Sequence, residues 1–190
     1  FGDVRFDNYI PDATHPSQAA SVAALTAFAQ RIEQPPAPRR GFFRRPAPPE
    51  GRSGVYLDGG FGVGKTHLLA SLWHEVPGPK CYGTFVEYTN LVGALGFRTA
   101  VESLKAYRLV CIDEFELDDP GDTVLMSTLL GELVDSGGYL AATSNTLPDK
   151  LGEGRFAADD FLREIQGLAA HFDVLRIAGA DYRHRGLPSA

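Results

Sequence analysis

The chain has 190 residues, of which 44% are hydrophobic and 22% charged, and its formal net charge is −6 at pH 7. This length and apolar share suit one globular domain and exclude wholesale disorder. Two cysteines exclude a disulfide scaffold and a multi-cysteine zinc module, and no apolar run approaches the roughly 20 residues of a membrane span. The acidic balance argues against a general nucleic-acid coat, although a local basic patch remains compatible with it.

The N-terminal part of the chain predicts one helix between two irregular segments. Within residues 1–33, apolar residues recur at three- and four-residue steps from Ser17 to Ile32, which predicts an amphipathic helix behind an irregular lead. Residues 34–53 are rich in proline and arginine and have no periodicity, so we expect a long loop. Because the chain begins with phenylalanine, we expect residue 1 not to be the native start. Two thiols in apolar settings favour a reducing interior, with a bacterial cytoplasm preferred.

Residues 54–186 are predicted to form a core of the size of a P-loop domain, and residues 187–190 a short tail. Short apolar runs alternate here with helical patterns, which indicates βαβ units and a mostly parallel sheet with helices on both faces. The predicted strands are 55–57, 81–86, 109–112, 139–142 and 172–177, and the predicted helices are 66–74, 91–107, 123–134 and 159–170.

A glycine-rich motif lies between the first of these strands and the helix after it. Gly59-Gly60-Phe61-Gly62-Val63-Gly64-Lys65-Thr66 matches G-x-x-x-x-G-K-[ST], in which backbone N–H groups and a helix N-terminus surround phosphate oxygens. The lysine of this motif reaches the β- and γ-phosphates, and the threonine ligates Mg²⁺. The predicted nucleotide-binding residues are Gly60, Phe61, Gly62, Val63, Gly64, Lys65, Thr66 and His67.

Two acids follow the third predicted strand. Four apolar residues, 109–112, are followed directly by Asp113 and Glu114, which places the acids at the carboxyl end of a buried strand. Next to a phosphate loop, Asp113 is predicted to hold Mg²⁺ together with Thr66, and Glu114 to orient or polarise the attacking water.

Other nucleotide-dependent classes fit less well. The D-x-x-G tetrapeptide at 118–121 lies past the strand, and residues 145–149 have no lysine where the guanine-binding N-K-x-D pattern requires one, so ATP with Mg²⁺ is preferred over GTP. A small-molecule kinase would usually lack the Asp-Glu pair and would need a lid with substrate-binding arginines.

Further stretches resemble a known family. Along the chain, the phosphate loop comes first, then the acidic pair, and then Ala142-Thr143-Ser144-Asn145. This order of motifs is similar to that of AAA+ ATPases. More narrowly, five stretches of the chain resemble the ZapE-like (cell-division-associated) AAA+ ATPases. They are Phe6-Asp7-Asn8-Tyr9, Leu57-Asp58-Gly59-Gly60, Cys111-Ile112-Asp113-Glu114-Phe115, Thr143-Ser144-Asn145 and Asp181-Tyr182-Arg183-His184-Arg185. The resemblance implies an α/β P-loop NTPase fold of AAA+ type, with a parallel five-stranded sheet in the order 5-1-4-3-2. Because most AAA+ chains continue into a helical lid where this sequence stops, just after Arg185, we expect the lid to be reduced or absent.

The resemblance also implies roles for single residues. Asn145 takes the place of the first sensor of the γ-phosphate. Asn8 and Tyr9 fall where related ATPases contact adenine, although Tyr9 with Ile10 could equally form a hydrophobic strap over the first helix. Arg183, or Arg185, takes the second sensor place, or else belongs to a solvated basic tail. In this family, arginines that act on the nucleotide of the neighbouring subunit come just before a helix that in this chain starts with the acids Asp159 and Asp160. The nearest candidate for such a catalytic arginine is Arg155, and Arg163 is the second. The alternative is that Arg155 only contributes surface charge.

Partners follow from the same resemblance. It implies a homo-oligomer, as a ring or in a nucleotide-dependent form, that uses ATP hydrolysis to remodel a protein partner such as a cytoskeletal division protein. A different class is an ATP-switched nucleic-acid-binding module like a helicase loader, motivated by Arg39, Arg40, Arg44 and Arg45 around two phenylalanines. The same arginines could contact a membrane surface peripherally or lie in a solvated loop. A pseudo-ATPase scaffold is disfavoured because both motifs are intact.

Overall fold

The computed structural model describes residues 4–34, 52–60, 62–115, 119–144 and 167–179. In chain order these contain a 3-10 turn at Phe6–Asn8, α1 (Pro16–Glu33), β1 (Gly54–Gly59), α2 (Lys65–Glu75), β2 (Lys80–Thr84), α3 (Phe85–Leu95), α4 (Phe97–Leu104), β3 (Leu109–Asp113), α5 (Pro120–Asp135), β4 (Tyr139–Ser144) and β5 (Phe172–Ile177). The division of the chain at residues 33, 53 and 186 stays a prediction.

The strands of the described residues form one parallel sheet in the order β2-β3-β4-β1-β5. This confirms the order that the family resemblance implied. Parallel neighbours need crossover connections, and α2 to α5 lie in the connections between β1 and β4. All strands therefore end at the same edge, where the loop after β1 and the acids at the end of β3 are separated only by β4.

The core has one apolar cluster on each face of the sheet. Because side chains alternate along a strand, Tyr56 of β1 enters one cluster, with α3, α4 and α5, and Leu57 enters the other, with α1 and α2. All residues of β3 are buried, as a strand covered on both faces requires. The sheet is therefore packed on both of its faces.

Two of the predicted boundaries are wrong, and both errors concern the segment after β2. The strand expected over 81–86 ends at Thr84, because Thr84 caps a helix: its side chain accepts from the Glu87 amide, and the Glu87 carboxylate accepts from the Thr84 amide. The helix expected over 91–107 is two helices, α3 and α4, that meet at Gly96, whose φ of 80° lies outside the range of a right-handed helix. Most of the helix expected over 159–170 lies outside the described residues.

Helix α1 packs on the core through polar contacts at both ends. The fully buried Gln18 accepts from the Asp12 amide at 2.8 Å and donates to the carbonyl of Ala178, just after β5, at 3.0 Å. At the other end, the Arg108 guanidinium donates to the carbonyl of Ile32. Residues 4–15, which we call the strap, are thereby held beside the carboxyl edge. Within the described ranges, none of the helices combines the length and the apolar character that crossing a bilayer requires.

Candidate nucleotide-binding site

The loop between β1 and α2 has the backbone geometry that its glycines predict. Gly62 and Gly64 adopt φ values of 72° and 89°, in the left-handed region that favours glycine. At Gly64 a side chain would also meet an obstacle, since a Cβ there would lie 2.6 Å from Cε2 of Tyr9. Glycine at position 64 is therefore required both by backbone conformation and by the ring packed against it.

Lys65 points its ammonium group into this loop. Its Nζ donates to the carbonyl oxygens of Gly59 and Gly60, each at 2.7 Å. Burial lowers the pKa of Lys65, and the negative charges of Asp58 and Asp113 partly offset that effect. A half-desolvated ammonium inside a glycine loop is a strong partner for an entering phosphate, because the charge pair would form where water screens it poorly.

Thr66 and Asp113, which the sequence predicts as metal ligands, lie side by side. The Thr66 hydroxyl donates to the Asp113 carboxylate, with Oγ1 at 3.2 Å from Oδ1 and 3.1 Å from Oδ2. The two residues are 47 positions apart in the chain, and the fold brings them together at the carboxyl edge. A hydroxyl and a carboxylate are hard oxygen ligands, so the pair fits the chemistry of Mg²⁺.

Asp113 is nearly enclosed by hydrogen-bond donors. It is only 6% exposed, and it accepts from the Tyr82 hydroxyl at 2.8 Å, from the Glu114 amide at 3.1 Å and from the Thr143 hydroxyl. A buried carboxylate needs such donors, because an unpaired buried charge is costly. Neither Tyr82 nor Thr143 was assigned a role from the sequence. Two features of the sequence could have indicated their contact with Asp113. One is a tyrosine near the end of the strand next to β3, and the other is a hydroxyl residue near the end of β4.

Glu114 is held in an uncommon conformation between two buried neighbours. Its φ is 55°, in a region that residues other than glycine rarely adopt. The backbone amide of Glu114 donates to Oδ1 of Asp113 and to Oγ1 of Thr143, both at 3.1 Å, and the amide of the buried Phe115 donates to the Thr143 carbonyl at 2.7 Å. These contacts hold the strained residue in place and leave its side chain exposed.

The strap contacts the phosphate loop through Tyr9. The buried Tyr9 donates its hydroxyl to the carbonyl of Val63 at 2.9 Å, and its ring lies 5.7 Å from the ring of His67 between centroids. His67 in turn has its Nε2 3.1 Å from the carbonyl oxygen of Arg5. Tyr9 thus supports the loop, whereas Asn8 is exposed. Adenine contact by Asn8 and Tyr9 stays a prediction.

Replacing Tyr9 by phenylalanine tests the support of the loop. The change removes the bond to Val63 and leaves a buried carbonyl without this donor, so we expect a loss of about 1 kcal/mol in the free energy of unfolding. Thermal denaturation without nucleotide should show it as a decrease in Tm of about 2–4 °C. The same change at the more exposed Tyr107 is the control and should leave Tm unchanged. If Tyr9 served only to contact adenine, the melting temperature without nucleotide would not change.

Several predicted site residues lie outside the part of the chain that the structure describes. They are Phe61 in the phosphate loop, the sensor candidates Asn145, Arg183 and Arg185, and the candidates for the catalytic arginine, Arg155 and Arg163. Their roles stay predictions, as does the role of the arginines at 39–45.

Comparison with known proteins decides the family. The model of the family described as AFG1-like ATPase matches residues 2–190, nearly the whole chain. The chain belongs to the AFG1-like ATPase family. It is also 34% identical over 149 residues to the cell division protein ZapE of Escherichia coli K12. That match covers 72% of this chain but only 40% of ZapE, so the chain spans well under half the length of this relative.

Solved structures show that this member of the AFG1-like family shares its fold with proteins of replication initiation and helicase loading. Domain III of the replication initiation protein DnaA from Thermotoga maritima superposes with a TM-score of 0.68 at 22% identity, covering 95% of this chain and 69% of that domain's chain. The DnaC helicase loader superposes with a TM-score of 0.63 at 15% identity, covering 93% of this chain and 97% of that one. At these identities the likeness concerns the fold alone, and it confirms the predicted AAA+ type of P-loop fold.

Proposed function

We propose that this chain is the catalytic core of an ATPase that binds and hydrolyses Mg-ATP and uses the energy to remodel a protein partner. The observation that carries the proposal is the contact of Thr66 with Asp113, 3.1–3.2 Å, beside the exposed Glu114. A hydroxyl and a carboxylate that could share a metal, a loop lysine and an exposed acid at one sheet edge are the parts that phosphoanhydride hydrolysis needs. The AFG1-like ATPase family supports the same activity.

Each side chain has a role that follows from its surroundings. Lys65, whose ammonium group lies in the loop, binds and orients the β- and γ-phosphates. Thr66 and Asp113 would hold Mg²⁺, which when bound neutralises charge on the phosphate oxygens. Glu114 orients the attacking water and accepts its proton, since its side chain is exposed next to Asp113. Asn145, which follows Ser144 in the sequence, would contact the γ-phosphate.

The partner and the assembly are proposed from the relative. ZapE of Escherichia coli is described as a cell division protein, so we propose that the partner of this chain is a division protein in the bacterial cytoplasm. We further propose that the active form is a homo-oligomer in which Arg155 of one subunit reaches the nucleotide of the next. Such an arginine stabilises charge that develops during phosphoryl transfer.

The dependence of ATP hydrolysis on protein concentration tests this function. If subunits complete each other's sites, the rate per subunit should rise steeply with concentration and then level off. The same series with the Lys65→Ala variant gives the background of contaminating activity. A constant rate per subunit would argue against shared sites, and a rate no higher than that of the variant at every concentration would contradict hydrolysis itself.

The nucleic-acid alternative has no support among the described residues. It depends on Arg39, Arg40, Arg44 and Arg45, which lie outside them, and so does peripheral contact with a membrane. The likeness to DnaA and DnaC concerns the fold. Both alternatives therefore stay predictions from the sequence.

A further inference from the structure

Tyr82 reaches the predicted metal site from the edge of the described sheet. It lies on β2 opposite Cys111, two residues before Thr84, which is opposite Asp113. Because residues two apart on a strand share a face, Tyr82 and Asp113 project from the same side of the sheet. About 6.6 Å separates such positions along a strand. The phenol is long enough to cover that distance, and its hydroxyl ends 2.8 Å from Oδ2 of Asp113.

The donors around Asp113 divide between its two oxygens. The Glu114 amide and the Thr143 hydroxyl donate to Oδ1, and Tyr82 donates to Oδ2. The Thr66 hydroxyl lies between the two oxygens. If Thr66 were to ligate Mg²⁺, as in the proposed function, the Tyr82 hydroxyl would still donate to Oδ2. The Asp113 carboxylate would then keep a hydrogen-bond donor on each of its two oxygens.

We propose that Tyr82 is a positioning residue of the magnesium site, which holds the Asp113 carboxylate in the orientation that the metal needs. This inference rests on the proposed function, in which Thr66 and Asp113 hold Mg²⁺. Residues that hydrogen-bond to metal ligands typically change metal affinity by about 10–100-fold when they are replaced. Tyr82 lies on β2, outside both the phosphate motif at 59–66 and the acids at 113–114.

The test uses Tyr82→Phe and a fluorescent, non-hydrolysable ATP analogue. Analogue affinity is measured with EDTA and then over a series of Mg²⁺ concentrations. We expect the affinity in EDTA to equal that of the unaltered protein, because the phosphate loop is untouched. We expect the Mg²⁺ concentration that gives half of the affinity gain to rise about 10-fold.

Tyr88→Phe is the matched control. Its hydroxyl donates to the carbonyl of Cys111 at 2.8 Å, so the same atom is removed next to the same strand, away from Asp113. We expect this variant to melt at a lower temperature but to keep the Mg²⁺ midpoint. An affinity in EDTA equal to that of the unaltered protein would show that the fold of a variant is intact.

The outcomes separate this inference from the proposed function. A Tyr82→Phe protein with an unchanged Mg²⁺ midpoint would overturn the inference and leave the proposed function standing. So would a loss of affinity that is equal with EDTA and with Mg²⁺, since that would be a structural effect. If the unaltered protein binds the analogue without any response to Mg²⁺, the metal site of the proposed function is wrong, and the inference is overturned with it.

Discussion

The Glu114→Gln variant is expected to bind ATP like the unaltered protein and to hydrolyse it about 100-fold more slowly, or slower still. Glutamine has nearly the shape of glutamate, and the contacts of residue 114 with Asp113 and Thr143 come from its backbone amide, so the fold of the edge should persist. The amide group cannot accept a proton from water. Equilibrium binding of ATP and steady-state phosphate release, measured on the same sample, separate the two effects.

The control for this variant is Glu102→Gln. Glu102 is an exposed glutamate on α4 that pairs with Lys105 at 3.0 Å, and exposed pairs contribute little to stability. We expect it to hydrolyse ATP at the unaltered rate. Undiminished hydrolysis by Glu114→Gln would show that another group activates the water.

The Lys65→Ala variant is expected to weaken ATP binding by about 100-fold or more, which corresponds to ~2.7 kcal/mol. The ammonium group lies in the loop at 2.7 Å from two carbonyl oxygens. Without it, the phosphates of ATP would face the carbonyl oxygens of Gly59 and Gly60 with no positive side chain between them. Titration calorimetry with the non-hydrolysable analogue measures the affinity.

Lys105→Ala removes the same charge from the surface and serves as the comparison. Its ammonium group pairs with Glu102, on helix α4, and it should leave both affinity and rate unchanged. If Lys65→Ala bound the analogue as tightly as Lys105→Ala does, the phosphates would have to lie somewhere other than the loop at 59–66.

The local parts of the site could be predicted from the sequence, whereas contacts between strands could not. Lys65, Thr66 and Asp113 belong to short patterns whose chemistry is fixed by residue type and spacing, and the structure brings them together. The contact of Tyr82 with Asp113 depends on strand register, which no local pattern contains.

The boundary after β2 shows a second reason. Phe85 and Val86 continue an apolar run, so periodicity alone cannot separate the end of a strand from the start of a buried helix. The capping pair Thr84 and Glu87 decides it, through two reciprocal hydrogen bonds. The strand order, in contrast, came from family resemblance, because alternating strands and helices permit several orders.

The strap connects the N-terminal part of the described chain mechanically to the phosphate-binding loop. Tyr9 is bonded to the phosphate loop, and only five positions separate it from residue 4, where the described chain begins. On its other side, Gln18 connects the segment to the exit of β5. A tension applied ahead of the strap, by a fused domain or a tether in a single-molecule experiment, would therefore reach the phosphate-binding loop before it reached the sheet.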